Sequence, residues 1–161
     1  MQSISNAPLV SVIMNCYNGE RYLQKSIDSI YTQTYQNWEI IFWDNASTDS
    51  SANIVKDYDK RIKYYLAPKT TPLGEARNFA LEKVSGEYIA FLDCDDIYLP
   101  DKLERQVELM QSKDYAMCYG SVAIINESGK EVKKDIVKNK SGNIFSSLLR
   151  RYEINMQTVM L

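Results

Sequence analysis

Residues 87–103 read EYIAFLDCDDIYLPDKL, and the way this stretch folds decides how the rest must be arranged. An apolar run climbs to Phe91 and Leu92 and is met at once by Asp93, Asp95 and Asp96. Carboxylates this close repel one another, so water or a cation must compensate them. A short apolar run that stops in acids is the signature of a buried strand delivering polar side chains to one edge of a sheet.

The pattern recurs upstream. PLVSVIMNCYN (8–18) carries Val10, Val12 and Ile13 before Asn15, Asn18 and Gly19, and WEIIFWDN (38–45) stops at Asp44. RIKYYLA (61–67) predicts a third strand, short and peripheral. Helical spacing lies between these runs. Leu23, Ile27, Ile30 and Tyr31 form one stripe, and Ile54, Val55 and Tyr58 a second, with Ser47 or Thr48 as its cap. Ala76, Phe79, Ala80 and Leu81 form a third, opened by Gly74 and closed by Gly86. Pro100 introduces a fourth helix over DKLERQVELMQS (101–112). Further on, YAMCYG (115–120) and SVAIIN (121–126) predict strands, with a turn at NESGK (126–130).

Strand–helix alternation repeated four times specifies an α/β domain with a largely parallel sheet. Such sheets bind ligands beyond the carboxyl ends of their strands. At those ends stand Cys16, Tyr17 and Asn18; Asp44 and Asn45; and Asp93, Cys94, Asp95 and Asp96. The 161 residues, 45% of them hydrophobic, suffice for one domain with a core, expected over 1–161.

Composition removes several function classes. A formal net charge of −2 argues against nucleic-acid binding. No apolar run approaches the ~20 residues of a membrane-spanning helix, and MQSISNAPLV has no signal-peptide pattern; the expected location is cytoplasmic. There is no histidine, so acid–base work falls to carboxylates, Lys, Tyr or Cys. Cys16, Cys94 and Cys118 form no C-x-x-C pair and read as reduced, packed side chains. Charge is polarised nonetheless. Residues 93–108 hold six acids against two cations, and residues 130–151 seven cations against two acids. The basic stretch raises peripheral contact with an anionic membrane or a lipid-phosphate acceptor, although no amphipathic stripe accompanies it.

Two readings compete for the D-C-D-D cluster. Asp93 and Asp95, two apart, can point to one side and make a hard oxygen site for Mg²⁺ or Mn²⁺, while Asp96 reads as a cap for the next helix. A haloacid dehalogenase-type phosphatase carries D-x-D-G-T after a strand. Here Asp96 and Ile97 replace the Gly and Thr, and the motif follows the fourth strand rather than the first. No G-x-G-x-x-G follows the first strand and no P-loop is present, so diphosphate charge has to be met by other means.

VSVIMNCYNGERYLQKSIDSIYTQTYQNWEIIFWDNASTDSS followed by GEARNFALEKVSGEYIAFLDCDDIYLPDKLE resembles, in order and spacing, the N-terminal part of family 2 glycosyltransferases. The resemblance implies a glycosyltransferase-A-type fold, a Rossmann-like, mostly parallel sheet flanked by helices. Residues 8–110 would be the nucleotide-sugar-binding half, and 111–161 an incomplete start of the acceptor-side half. It implies inverting, metal-dependent sugar transfer from a nucleotide-diphosphate donor, typically a UDP-sugar, to a saccharide or lipid-linked acceptor, in polysaccharide or glycoconjugate synthesis. By the same resemblance Cys16, Tyr17 and Asn18 line base and ribose, and Asp44, with Asn45 beside it, meets the base. Arg77 and Cys94 lie beside the nucleotide, and Asp93 and Asp95 form the D-x-D that contacts ribose and a Mn²⁺- or Mg²⁺-bound diphosphate. The family's base, an Asp in a later motif, is expected beyond Leu161, which implies a truncated domain. A nucleotide-sugar-binding module without catalysis is the alternative from another class.

Overall fold

The computed structural model describes residues 7–136, 141–150 and 154–161. Four parallel strands form the main sheet in the order β3-β2-β1-β4: β1 Val10–Cys16, β2 Trp38–Asp44, β3 Ile62–Leu66 and β4 Tyr88–Phe91. Helices α1 Leu23–Tyr31, α2 Ser51–Lys56 and α3 Leu73–Leu81 link them, and α4 Lys102–Ser112 follows β4. β1 pairs with β2 from Val10↔Trp38 to Cys16↔Asp44, and with β4 from Val10↔Tyr88 to Ile13↔Phe91. Both β1 and β2 are buried at every position, as cover on two faces demands, while β3 is the half-exposed edge expected of it.

Strand alternation sorts the side chains into two layers. Val10, Val12, Met14 and Cys16 meet Ile40, Phe42 and Leu92, and helices α1 and α4 close that layer with Leu23, Ile27, Ile30, Leu103 and Val107. The expected stripe Leu23, Ile27, Ile30 is thus the buried face of α1. Ile13, Ile41, Trp43 and Phe91 face the opposite layer, where Ala76 and Ala80 let α3 approach closely. Strand order then positions the ligand edge. The chain steps from β1 to β2 to β3 in one direction and crosses back to set β4 on the far side of β1. Loops leaving β1 and β4 therefore diverge and open a crevice at their carboxyl ends.

Several boundaries differ from expectation. Neither Ser47 nor Thr48 caps α2, which starts at Ser51; Asp49 Oδ1 accepts the Ser51 amide at 3.0 Å instead. Gly74 lies within the first turn of α3, behind Pro72 at the N-cap. Asp96 does not cap α4, whose N-cap is Asp101, and Pro100 lies one residue before that cap; the Asp96 amide closes a turn on Asp93 O at 3.1 Å. YAMCYG is not a strand. Only Cys118 bridges to Met160, which also bridges Ala90, so residues near the C-terminus insert antiparallel between β4 and Cys118. A short 3₁₀ helix, Met156–Thr158, leads into this bridge. β5 Val122–Ile125 and β6 Glu131–Asp135 form a separate hairpin around the expected NESGK turn, and α5 spans Phe145–Arg150. Of the seven cations in 130–151, Lys138, Lys140 and Arg151 lie outside the described residues.

Gly86 does not stop α3, which ends at Leu81. It lets the chain pass against β1. A Cβ there would come within 2.5 Å of Leu9 O and 2.7 Å of Ser11 N. Beside this contact Glu39 is buried at 5% exposure. Its Oε1 accepts from Ser11 Oγ at 2.6 Å, Ser85 Oγ at 2.7 Å and Ser85 N at 3.1 Å, and its Oε2 pairs with Lys63 Nζ at 2.5 Å. Burial alone would raise this carboxyl's pKa; Lys63 and the two serines outweigh it and hold the group below its ordinary value.

Gly86→Ala is expected to cost about 1–3 kcal/mol, because the obstructing atoms are backbone; a lower urea midpoint at unchanged slope is the signature. Glu39 binds its proton less readily folded than unfolded. Its stabilisation is therefore complete above the ordinary carboxylate range and is lost as pH falls through the depressed value. Wild type should lose more stability than Glu39→Gln across that acid window, as measured by urea unfolding at each pH.

Candidate functional site

The site is assembled from loop to loop. After β1 the chain turns through Asn18, whose φ of 52° is left-handed and suits Asn. Asn18 N donates to Ser47 Oγ at 3.0 Å, and Asn18 Oδ1 accepts from Thr48 N at 2.8 Å. Gly19 N donates to Ser51 Oγ at 2.9 Å, and Glu20 N to Asp49 Oδ2 at 2.9 Å. The loops that follow β1 and β2 are thus laced together, with Tyr17 standing out from the lacing at 53% exposure.

Asp44 sits at the tip of β2, opposite Cys16 in the register, and is only 1% exposed. Its Oδ1 accepts from Ser47 N at 2.7 Å and its Oδ2 from Tyr64 OH at 2.6 Å. Each oxygen keeps a second lone pair, so the carboxylate can still accept from a ligand that reaches it. Asn45 uses its amide internally. It donates to Thr71 O at 2.8 Å and accepts from Thr71 N at 3.1 Å, bracing the segment that leads into α3.

The acidic turn after β4 departs from expectation most. The alternation that would send Asp93 and Asp95 to one side ends with the strand at Phe91. Asp93 is held from the α3 side: Arg77 Nη2 donates to Oδ1 at 2.8 Å, and Gln157 Nε2 donates to Oδ2. Asp95 lies in a cleft with Tyr22, Lys25 and Ser26 of the α1 region and Ile125, Asn126 and Glu127 of the hairpin. Among the described residues Asp95 makes no hydrogen bond or ion pair, so it is the unpartnered carboxylate of the two, while Asp93 is oriented by two donors and keeps a second lone pair on each oxygen. Asp96, partly desolvated and facing Asp95 and then Asp93, has its pKa raised to about 6. The turn therefore carries more negative charge than its protein neighbours neutralise.

This donor set admits a divalent ion of one particular kind. Among the described residues no group of three or more His, Cys, Asp or Glu could hold a metal. One free carboxylate at a crevice suits an ion completed by phosphate oxygens and water, the usual manner of Mg²⁺, and not a cage built from protein alone.

Two participants were not legible from local patterns. Gln157, on the 3₁₀ helix, reaches Asp93 only because Met160 is bridged to Cys118 and Ala90 and because Gln106 Nε2 donates to Thr158 O at 2.8 Å. Asn15 follows the alternation of β1 into the α3-side layer at 7% exposure, and neither end of its amide has a protein partner. A buried unpaired amide costs about 1–3 kcal/mol, which favours a water or ligand atom at this place. Cys16 and Cys94 are neighbours too. The hydrogen bond from Cys94 holds the Cys16 thiol below its ordinary pKa against the opposing effect of burial.

A parallel sheet with a switch-point crevice and laced loops is the architecture of ligand-binding α/β domains, and the fold is that of glycosyltransferase-A-type transferases, with which its solved neighbours share it. The sequence profile described as Glycosyl transferase family 2 matches residues 11–159, and the chain belongs to that family. An uncharacterized glycosyltransferase of Haemophilus influenzae is 38% identical over 159 residues, 97% of this chain and 63% of that protein. The UDP-Glc:alpha-D-GlcNAc-diphosphoundecaprenol beta-1,3-glucosyltransferase WfgD of Escherichia coli is 38% identical over 154 residues, 95% of this chain and 60% of that protein. The crystal structure of S. aureus TarS 1-349 in complex with UDP-GlcNAc superposes with a TM-score of 0.65 at 26% identity, covering 67% of this chain and 32% of that one. The chain thus spans about three fifths of the length of these curated relatives.

Gln157→Ala should free one Asp93 oxygen and loosen the terminal bridge. A loss of about 1–2 kcal/mol confined to that element corresponds to roughly 5- to 30-fold faster hydrogen exchange. The acceleration is expected at the amides of Ile89, Cys118, Met160 and Leu161, which make the bridge's hydrogen bonds. Equal acceleration along β1 would show that the contact is not local.

Proposed function

We propose that this chain provides the donor side of a sugar transferase: it binds a nucleotide-diphosphate sugar, with UDP as the nucleotide, for inverting transfer to an acceptor hydroxyl in polysaccharide or glycoconjugate synthesis. The observation that carries the reading is the switch-point crevice beyond β1 and β4, at whose strand tips Tyr17, Asn18 and Asp44 stand; Asp95, in the turn after β4, is an unpartnered carboxylate that opens toward the α1 region and the hairpin. In this reading an ion held at Asp95 would meet the diphosphate of a donor whose base and ribose lie against Tyr17, Asn18 and Asp44. The WfgD relative is named for transfer from UDP-Glc to a diphosphoundecaprenol-linked sugar, and the TarS chain was crystallised with UDP-GlcNAc; both support a UDP-sugar donor, and the former a lipid-linked acceptor.

In this reading Tyr17 offers its ring, with Asn18 and Cys16 behind it, to base and ribose, and Asp44 accepts from the base. Asn45 and Cys94 shape the wall, and Asp93, oriented by Arg77 and Gln157, turns toward the ribose. Asp95, and Asp93 through the lone pairs that Arg77 and Gln157 leave free, would hold Mn²⁺ or Mg²⁺. A bound ion supplies charge stabilisation to the departing diphosphate, more in the transition state than before it. The acceptor hydroxyl attacks from the opposite face, which inverts the sugar carbon, and a carboxylate takes its proton. No residue of this chain is assigned that last role. Residues 8–110 act as the donor half and 111–161 as the beginning of the acceptor side. Among the described residues no helix is long and apolar enough to cross a membrane, and we place the chain in the cytoplasm with peripheral access to a lipid-linked acceptor.

Calorimetry with UDP and Mn²⁺ tests the reading. Wild type is expected to bind UDP weakly and only with the ion, and Asp95→Ala to lose at least about tenfold of that affinity, about 1.4 kcal/mol. Binding that ignores both the metal and Asp95 overturns the metal role. Absent nucleotide binding with cleavage of a phosphate ester returns the phosphatase alternative.

A further inference from the structure

Cys16 ends β1, and Cys94 lies in the turn three residues past the end of the neighbouring strand β4. β1 and β4 are in register as far as Ile13↔Phe91, and three further residues along each chain lead to Cys16 and Cys94. Both belong to the α1-side layer, Cys16 within it and Cys94 packed against it. Gly19 is pressed against both: a Cβ there would lie 2.7 Å from Cys16 Sγ and 3.0 Å from Cys94 Sγ. Two sulfurs this near a single point are close neighbours, and ordinary packing of isolated thiols, the reading from sequence, understates the arrangement. Access is unequal, with Cys16 buried and Cys94 only partly so.

We infer that Cys16 and Cys94 form a dithiol site that exchanges with low-molecular-weight disulfides and closes reversibly into an intramolecular bond beneath the acidic turn. The chemistry balances in two exchanges. Cys94, the more exposed thiol although its proton is held more tightly than that of Cys16, gives that proton to solvent and attacks one sulfur of a reagent such as oxidised glutathione, forming a mixed disulfide and releasing one glutathione thiolate. Cys16, having given up its proton, then attacks Cys94 Sγ and expels the second glutathione thiolate. The protein loses two protons and two electrons, and the reagent gains them as two thiols. Cys118, the third cysteine, lies apart at the Met160 bridge and takes no part.

Closure draws the sulfurs to about 2.05 Å. Cys94 stands between Asp93 and Asp95, and its carbonyl accepts from Ser26 Oγ at 2.9 Å, so the acidic turn and the Gly19 loop must adjust to each other. The resulting change in donor binding rests on the proposed function; formation of the bond does not.

The experiment treats the full chain with oxidised glutathione, alkylates it under denaturing conditions and measures intact mass. Wild type is expected to lose about 2 Da, the two hydrogens, and to accept one alkyl group in place of three. Cys118→Ser should lose the same mass and accept none, and dithiothreitol should restore every thiol. Cys94→Ser and, separately, Cys16→Ser must abolish the loss; using both keeps the test decisive should the buried Cys16 variant fail to fold. Three alkylatable thiols in oxidised wild type, a glutathione adduct that never resolves, or a loss that persists without Cys94 each overturns the site. If the bond forms while neither redox state binds UDP, the dithiol site stands and the donor reading falls.

Discussion

Strand β1 has a hydrogen-bonded neighbour on each side and an apolar layer against each face, and much of the molecule exists to supply that environment. Backbone groups of a strand buried this way have nowhere to turn except to flanking strands, so β2 and β4 must both be present. Parallel pairing then forces each connection over a face, where α1, α2 and α3 lie. It also sends every strand's carboxyl end to one edge. The ligand crevice follows from that constraint and needs no device of its own.

At that edge the protein divides its polar groups into those that hold and those that remain open. Asn18 with Ser47, and Ser51 with Asp49, use one another's hydrogen-bonding capacity, Asn45 is taken up by Thr71, and Asp93 is held by Arg77 and Gln157. What stays open is Tyr17, Asp95 and the second lone pairs of Asp44 and Asp93. A rigid frame with a few unsatisfied groups is what binding a charged, flexible ligand requires, since the ordering cost has been met in folding.

Legibility from sequence followed the range of the signal. Period-2 and period-3.6 patterns are dictated by the element itself, so β1, β2, α1 and the edge character of β3 could be read directly. Asp44 and the Asp93–Asp96 run could be placed at the ligand edge because strand ends put them there, whereas Arg77 was placed only by the family resemblance. Signals that depend on a partner elsewhere in the chain were misread. Gly86 looks like a helix stop, yet it is required by the approach of Leu9 and Ser11. Asp93 and Asp95 look like a pair until the turn sends them to different neighbours. Gln157 carries no local mark at all, because its role arises from where Met160 pairs.

The position of β4 has a consequence for the nascent chain. As the polypeptide leaves the ribosome, β1, β2 and β3 can pair as soon as residues up to 66 have emerged, but the other edge of β1 stays bare until residues 88–91 follow. For that interval a mostly apolar strand presents an unpaired backbone edge, the geometry that recruits foreign strands. Slow decoding between α3 and β4 would lengthen this exposure, so yield during expression should respond to translation speed in that window more than anywhere later in the message.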